Sequence, residues 1–212
     1  MRKNEWEYAH QKGIVAATTE VGSLPFLQFS EGNDVLDIGC GKGTLLRKLV
    51  EDYGVEGVGI DIVPTKTTGI TFVCAEAQNL PFKEGVFDIV YSLGVLEHLT
   101  CTEKAFVEAH RVLKTDGQVL ITVPNLFSLH TFLDRPLRHF LGLWHIGLEK
   151  SYSLLDVYCF MAQAGFQKAR HKLILWNLSE VSVLSSIYAK FDNFLSRVFM
   201  FWGFFIAIYS SK

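Results

Sequence analysis

The sequence has little charge of either sign and little to staple it together. Lys and Arg number 20 and Asp and Glu 22, for a net charge of −2. Such a balance offers no basic face for nucleic acid, and no nucleic-acid partner is expected. The 4 cysteines, Cys40, Cys74, Cys101 and Cys159, form no CxxC pair. That scatter argues against a zinc site and against a dense disulfide framework; it fits reduced thiols in a cytoplasmic protein, with no metal expected. The N-terminus, MRKNEWEYAH, is polar and unlike a secretory signal. Internal repeats, low-complexity tracts and clear linkers are absent. So is an apolar run of the ~20 residues that a membrane span needs. The nearest approach, FLSRVFMFWGFFIAIY from Phe194 to Tyr209, is interrupted by Ser196 and Arg197. Its end reads as a buried strand; contact with a membrane surface is the less favoured alternative.

What is present suffices for one sizeable core. Hydrophobic residues make up 49% of 212, enough for a single α/β domain and short for two. Strands are expected at Asp34 to Ile38, Gly57 to Ile62, Ile70 to Val73, Phe87 to Tyr91 and Gln118 to Val123. Between them, Leu45, Leu46, Leu49, Val50 and Tyr53 share one helical face, with Gly54 as its stop. Ala105, Phe106, Ala109, Val112 and Leu113 make a second stripe, with Thr102 as the expected cap. Lys114 to Gly117 reads as a turn. Alternation of strand and helix predicts a mostly parallel, doubly wound sheet. The pattern breaks at Pro124 and Asn125, so residues 125–150 are expected to form an insertion. Ser153 to Ala164 reads as a helix stopped by Gly165. Phe166 to Trp176 and Phe201 to Tyr209 are candidate late strands, with a helix from Ser179 to about Arg197 between them.

The first strand runs into VLDIGCGKG, Val35 to Gly43. A strand, a glycine turn and a helix build a ligand site at the carboxyl end of an open sheet. The spacing here is GxGxG, whereas the dinucleotide fingerprint is GxGxxG. Asp61 ends the second strand about 20 residues later, where an acid receives ribose hydroxyls. Asp37 lies inside the first strand, a costly place for a carboxylate unless a partner or a cationic ligand meets it. Glu76 follows the third strand and, with the Ala77 backbone, is placed for an adenine edge. Together these residues suggest an adenosine with a positively charged tail and no pyrophosphate. Each also has a plainer reading: Asp37 as an acceptor for the glycine turn, Asp61 as a loop cap, Glu76 as a solvated charge.

These segments resemble the class I S-adenosylmethionine-dependent methyltransferases, of the type 11-like kind. VLDIGCGKG resembles the family's first motif, GVGIDI its second strand, AEAQNLPF its adenine segment and FDIVYSLGVLEHL its fourth-strand motif. HRVLKTDGQVLITVPN resembles its helix, turn and fifth strand, and AGF at 164–166 is similar to the segment opening its sixth. The resemblance is close over residues 30–125 and looser elsewhere. It implies a Rossmann-like seven-stranded, mostly parallel sheet with helices on both faces. It implies S-adenosylmethionine as cofactor, with Asp37 and the backbone of Gly39, Cys40, Gly41 and Gly43 meeting the methionine part. Asp61 would take both ribose hydroxyls and Ile62 pack on the adenine. Glu76 and Ala77 would contact the adenine amino group and ring. Ser92 and Leu93 would lie beneath the methionyl portion. Two departures stand out: Glu76 where Asp is commoner, and Asp116-Gly117 where the family's usual turn has two glycines.

One domain is expected over 1–212. Residues 1–30 would form an N-terminal helical lid, 31–123 the cofactor-binding core, 124–165 a substrate-side insertion and helix, and 166–212 the late strands. A sulfonium methyl is already electrophilic, so alignment of the acceptor matters most. A hydroxyl acceptor would gain from a base, and His98 in LEHL is the candidate; a structural or cofactor-contacting role for it stays open. His130, His139 and His145 lie in the insertion and read better as surface or packing residues. Tyr152 is a candidate pocket residue. Tyr8 and His10 are candidates for the lid, where Trp6, Tyr8 and Ile14 would form its apolar face or merely cover a sheet edge. Phe127, Phe132, Phe140, Leu143 and Trp144, with Arg135 and Arg138, suit an aromatic or lipid-like acceptor bearing an anion, or ordinary packing with solvated arginines. The acceptor expected is a small molecule or a lipid- or saccharide-linked one. The rival readings are a binding protein without turnover and, against the glycine spacing, an NAD-dependent oxidoreductase.

Overall fold

The computed structural model describes residues 24, 26–142, 149–174, 195 and 205–212, without the side chains of His130, Asp134, Arg138 and Ile174. Trp6, Tyr8, His10, Ile14, Leu143, Trp144 and His145 lie outside the described residues. So does the helix expected from Ser179 to about Arg197, apart from Leu195.

The strands are β1 (Asp34–Ile38), β2 (Glu56–Asp61), β3 (Thr71–Cys74), β4 (Phe87–Leu93), β5 (Leu113–Pro124), β6 (Arg170–Ile174) and β7 (Phe205–Ser211). They make one seven-stranded sheet in the order β3-β2-β1-β4-β5-β7-β6. Only β7 runs against the rest, pairing antiparallel with both β5 and β6. The helices are α1 (Thr44–Tyr53), α2 (Thr102–Val112), α3 (Arg135–Phe140) and α4 (Leu154–Ala164). Because side chains alternate along a strand, the sheet buries two faces. Leu36, Ile38, Val90 and Ile121 pack with Phe106 and Ala109 of α2 and with Val157 and Met161 of α4. Val35, Ile89, Tyr91 and Leu120 pack on the other face with Leu45, Leu46 and Leu49 of α1. The sheet is thus the doubly wound, mostly parallel one expected.

Local chemistry explains the element ends. Gly43 and Gly54 bracket α1 in the left-handed region, and the Gly54 N–H donates to Val50 O. Ser153 opens α4 with a reciprocal capping box: its hydroxyl accepts from the Asp156 N–H while the Asp156 carboxylate accepts from the Ser153 N–H. Thr102 is not a cap. It is the first residue of α2, and its hydroxyl donates to Leu96 O at 3.0 Å and meets the Tyr152 hydroxyl at 2.6 Å.

Lys114–Gly117 is not a turn before a strand but a bulge inside one, since Leu113 already pairs with Phe87. Asp116 there adopts a φ of 65, a region Asp tolerates better than most side chains. Of the expected apolar C-terminal stretch, Phe205 onward is strand, with Ile206, Ala207 and Ile208 fully buried. No helix among the described residues is long and apolar enough to cross a membrane. The described end of the expected lid is not helical: Leu24 and Leu27 are buried beside α1, and Phe26 stacks on Tyr209 of β7 with ring centroids 4.1 Å apart.

Candidate functional site

The strand order reverses between β1 and β4, which opens a crevice at the carboxyl ends of the central strands. The glycine turn sits at that point. Gly39, Gly41 and Gly43 have φ of 82, 54 and 68, conformations that L side chains adopt at a cost. Space is as tight as the backbone: a Cβ on Gly39 would collide with the Val95 side chain, and one on Gly59 with Cys40 Sγ. The Gly39 and Cys40 N–H groups both donate to Ile60 O at 2.8 and 2.9 Å, and the Gly43 N–H donates to Cys40 O at 2.8 Å. The Gly41 N–H donates to Asp61 Oδ2 at 3.0 Å. The turn thus directs four of its N–H groups into the protein, where a pyrophosphate would need them pointing out.

Asp61 closes β2 and is held from two sides. Its Oδ2 accepts from Gly41 and its Oδ1 from the Val63 N–H at 2.9 Å. Each carboxylate oxygen retains a further lone pair for hydroxyl donors. Ile62 follows, half-buried, and beyond β3 Glu76 is exposed beside buried Ala77. Glu76 and Asn79 form an isolated bridge that folds this loop.

Asp37 and Tyr91 are direct partners in the β1–β4 register. The Tyr91 hydroxyl donates to Asp37 Oδ2 at 2.9 Å. Burial, opposed by that hydrogen bond and reinforced by Asp61, lifts the Asp37 carboxyl to about 7. Burial and the Asp37 charge likewise push the Tyr91 phenol well above its usual range. Burial, Asp37 and Asp61 raise the Cys40 thiol, which therefore stays protonated and packs rather than reacts. Ser92 has no exposed surface, and its hydroxyl donates to Ile38 O at 3.0 Å. It ties β4 to β1, while Leu93 beside it is half-buried at the strand end.

The residues after β4 form the second half of the crevice. Val95 fills the space over Gly39, and Leu96–His98 make one turn of 3-10 helix. His98 is buried, with Nε2 4.0 Å from Glu97 Oε1. Glu97, not among the residues expected at the site, is buried more deeply than His98. Burial chiefly, and Glu149 in addition, raise its carboxyl well above the usual range. The same signature that marks Asp37, an acid inside an apolar run, is present in VLEHL.

The insertion folds down over β5. Asn125 bridges Tyr152, and the Leu126 N–H donates to Tyr152 O while the Tyr152 N–H donates to Pro124 O. Tyr152 is buried and hydrogen-bonded to Thr102; burial pushes its phenol up to about 12. Arg135 is not a solvated arginine. Its Nη1 donates to Glu149 O at 3.0 Å and to Ser151 Oγ at 3.1 Å, and lies 3.7 Å from Glu149 Oε1. His139 is exposed, which removes it as a buried base. Among the described apolar residues of the insertion, Phe132 is 57% exposed and Phe140 87%.

Comparison with known proteins places this geometry. The profile of a family described as a methyltransferase domain matches residues 36–121. The chain is 32% identical over 188 residues to an uncharacterized methyltransferase of Synechocystis sp., with 79% of this chain and 85% of that one covered. It is 29% identical over 162 residues to the malonyl-[acyl-carrier protein] O-methyltransferase of Geobacter sulfurreducens, covering 68% of this chain but 60% of that enzyme. Among solved structures, a Haloferax volcanii methyltransferase in complex with the Trm112 activator superposes with a TM-score of 0.74 at 19% identity, covering 99% and 96% of the two chains. The Haemonchus contortus phosphoethanolamine N-methyltransferase 2, complexed with S-adenosyl-L-methionine, gives a TM-score of 0.66 at 17% identity, covering 97% of this chain and 56% of that one. The chain therefore spans about three fifths of the length of the named enzymes it matches.

Proposed function

Since the chain belongs to the class I S-adenosylmethionine-dependent methyltransferases, we propose that it transfers the sulfonium methyl of that cofactor to a small-molecule or lipid- or saccharide-linked acceptor. The observation that carries this reading is the convergence of Asp61, Asp37 and the glycine turn at one sheet edge. The residues fit the cofactor's parts. Asp61, fixed by the Gly41 and Val63 N–H groups, keeps lone pairs for two ribose hydroxyls. Ile62, Ala77 and Glu76 stand beyond it on the adenine side. Asp37, buried and lifted to about 7, is stabilised as a carboxylate by a cationic ligand. The turn itself brings backbone, not side chains, against the methionine portion.

When bound, the cofactor supplies a methyl carbon attached to a cationic sulfur, ready for in-line displacement. The protein's task is then to hold both partners in line and to exclude water. Val95 closes over the turn, Ser92 locks β4 against β1 beneath the crevice, and Leu93 caps the strand end. His98 and Glu97 stand on the acceptor side. The relatives' named acceptors differ: a malonyl group on a carrier protein for one and phosphoethanolamine, a small molecule, for another that is 31% identical over 110 residues.

Calorimetry with S-adenosylmethionine, S-adenosylhomocysteine and NAD tests the reading. Binding of the first two without NAD is the expected result. NAD binding alone overturns it, and binding of the sulfur compounds with no methyl transfer to any acceptor favours the binding-protein alternative.

A further inference from the structure

One polar atom on the acceptor side has no explanation in the fold. Glu97 is 3% exposed, and its Oε2 has no hydrogen-bond partner among the described residues. Such an atom is costly to bury unless a ligand meets it. Its other oxygen, Oε1, turns back toward Gly94 at the end of β4, 3.5 Å from where a Cβ on that glycine would stand. The carboxyl therefore sits in the same 3-10 turn that opens at Val95, the residue covering Gly39.

Among the described residues, the groups facing it come from its own turn, from the 149–152 segment and from α3. His98 shares its turn, with Nε2 4.0 Å from Oε1. Glu149 and Tyr152 come from the segment that returns along β5, where the Lys150 N–H donates to Glu97 O at 3.0 Å. Arg135 of α3 is committed to Glu149 and Ser151, and Lys150 Nζ to Thr100 O. The Tyr152 hydroxyl is held by Thr102. Glu97 therefore feels the charge of a second carboxyl, Glu149, while its own Oε2 meets no donor among the described residues. A positively charged donor at Oε2 would satisfy that atom and offset the repulsion between the two acids.

We propose that Glu97 Oε2 receives the ammonium group of a primary or secondary amine, and that this amine is the methyl acceptor. The proposal rests on the methyltransferase reading above and narrows it to one acceptor chemistry. The ammonium nitrogen must expose its lone pair before it can attack. It does so by giving one proton to the Glu97 carboxylate; burial strengthens that carboxylate as a base and favours the neutral pair over the ion pair. The nitrogen lone pair then forms the bond to the methyl carbon as the carbon–sulfur bond breaks. That pair of electrons returns to sulfur, leaving a neutral thioether and a methylated ammonium. The proton stays on Glu97 until the product leaves.

The test uses the full chain with S-adenosylhomocysteine bound, probed by propylamine, hexylamine and benzylamine against the alcohols of the same skeletons. At least one amine should bind tenfold or more tightly than its alcohol. Glu97→Gln should erase that preference and leave S-adenosylhomocysteine affinity unchanged. Equal binding of amine and alcohol, no amine binding, or a preference that survives Glu97→Gln overturns the proposal. Should Glu97→Gln not fold, a second probe of the wild type decides: the trimethylated form of the best-bound amine keeps the charge but has no N–H to donate to Oε2, and it should bind at least tenfold more weakly than the amine. Equal binding of the two overturns the proposal. With S-adenosylmethionine, the best-bound amine should gain one methyl group in the wild type and not in Glu97→Gln. Binding without transfer overturns the base role. Failure of S-adenosylhomocysteine to bind at all is a different result and refutes the methyltransferase reading itself.

Discussion

Asp37 joins two opposing requirements in one side chain. It stands in the middle of an apolar strand, where the proposed cofactor's cation would meet it, and its buried charge weakens the empty protein. In the unfolded chain its carboxyl titrates near 3.8, and in the fold near 7. The folded state therefore holds the proton more tightly. Its stabilising effect is complete below about 3.8 and is lost as pH rises through about 7. Asp37→Asn keeps an oxygen for the Tyr91 hydroxyl and removes the buried charge. It should raise the stability of the ligand-free protein by about 4 kcal/mol at pH 8, since the carboxyl's proton affinity changes by about three powers of ten and each is worth about 1.4 kcal/mol. The gain should vanish near pH 4, as melting at the two pH values will show. Binding of S-adenosylmethionine below pH 7 should release a proton from the wild type and none from Asp37→Asn. Asp61→Ala loses a charged acceptor for ribose hydroxyls and should weaken S-adenosylhomocysteine binding by about 1.5–3 kcal/mol, read by calorimetry. An unchanged affinity would mean that the ribose lies elsewhere. Asp37 and Asp61 are legible in the sequence because their places relative to strand ends are local facts. Tyr91 and Glu149 are not: which residue faces Asp37 depends on the β1–β4 register, and which faces Glu97 depends on how the insertion returns along β5.

Among the elements, the glycine turn is the most legible, because φ and ligand approach are written in residue type. Its individual reasons are not. Gly39 is required twice, by its φ of 82 and by Val95, which comes from the segment after another strand. Gly32 has a φ of 77 with nothing within 4 Å of an added Cβ. Gly32→Ala should therefore cost only the backbone strain, about 1–2 kcal/mol, and leave cofactor affinity intact. Gly39→Ala should cost more in melting temperature and should also push Val95 off the crevice, lowering S-adenosylhomocysteine affinity at least tenfold. Comparing the two separates the shared strain of a left-handed alanine from the collision specific to the site. The Lys114–Gly117 bulge shows the limit of local signals. Polar residues with a glycine read as a turn, but the earlier pairing of Leu113 with Phe87 makes them an interruption within β5.

Across the whole molecule, binding and stability are divided between the two edges of the sheet. The proposed ligand groups, Asp37, Asp61 and the glycine turn, lie toward the carboxyl ends of the strands. At the amino ends, Lys114 Nζ donates to Asp34 Oδ2 at 2.7 Å and to Asp88 Oδ2 at 2.9 Å, joining the starts of β1, β4 and β5. Asp88 Oδ2 also accepts from the Asp34 N–H at 2.8 Å. Removing the cation leaves two neighbouring carboxylates unscreened. These groups are partly exposed, so the cost of Lys114→Met should be modest, about 1 kcal/mol, and should shrink as salt is added. The length of a strand, about 3.3 Å per residue, separates Asp34 from the glycine turn by most of the sheet. Lys114→Met should then lower the melting temperature without changing S-adenosylhomocysteine affinity. Combined with Asp61→Ala, its stability loss should add to that of the single variant, as distant sites do. If Lys114→Met instead weakened ligand binding, the sheet would be transmitting strain from one edge to the other, and the two edges could not be treated as independent.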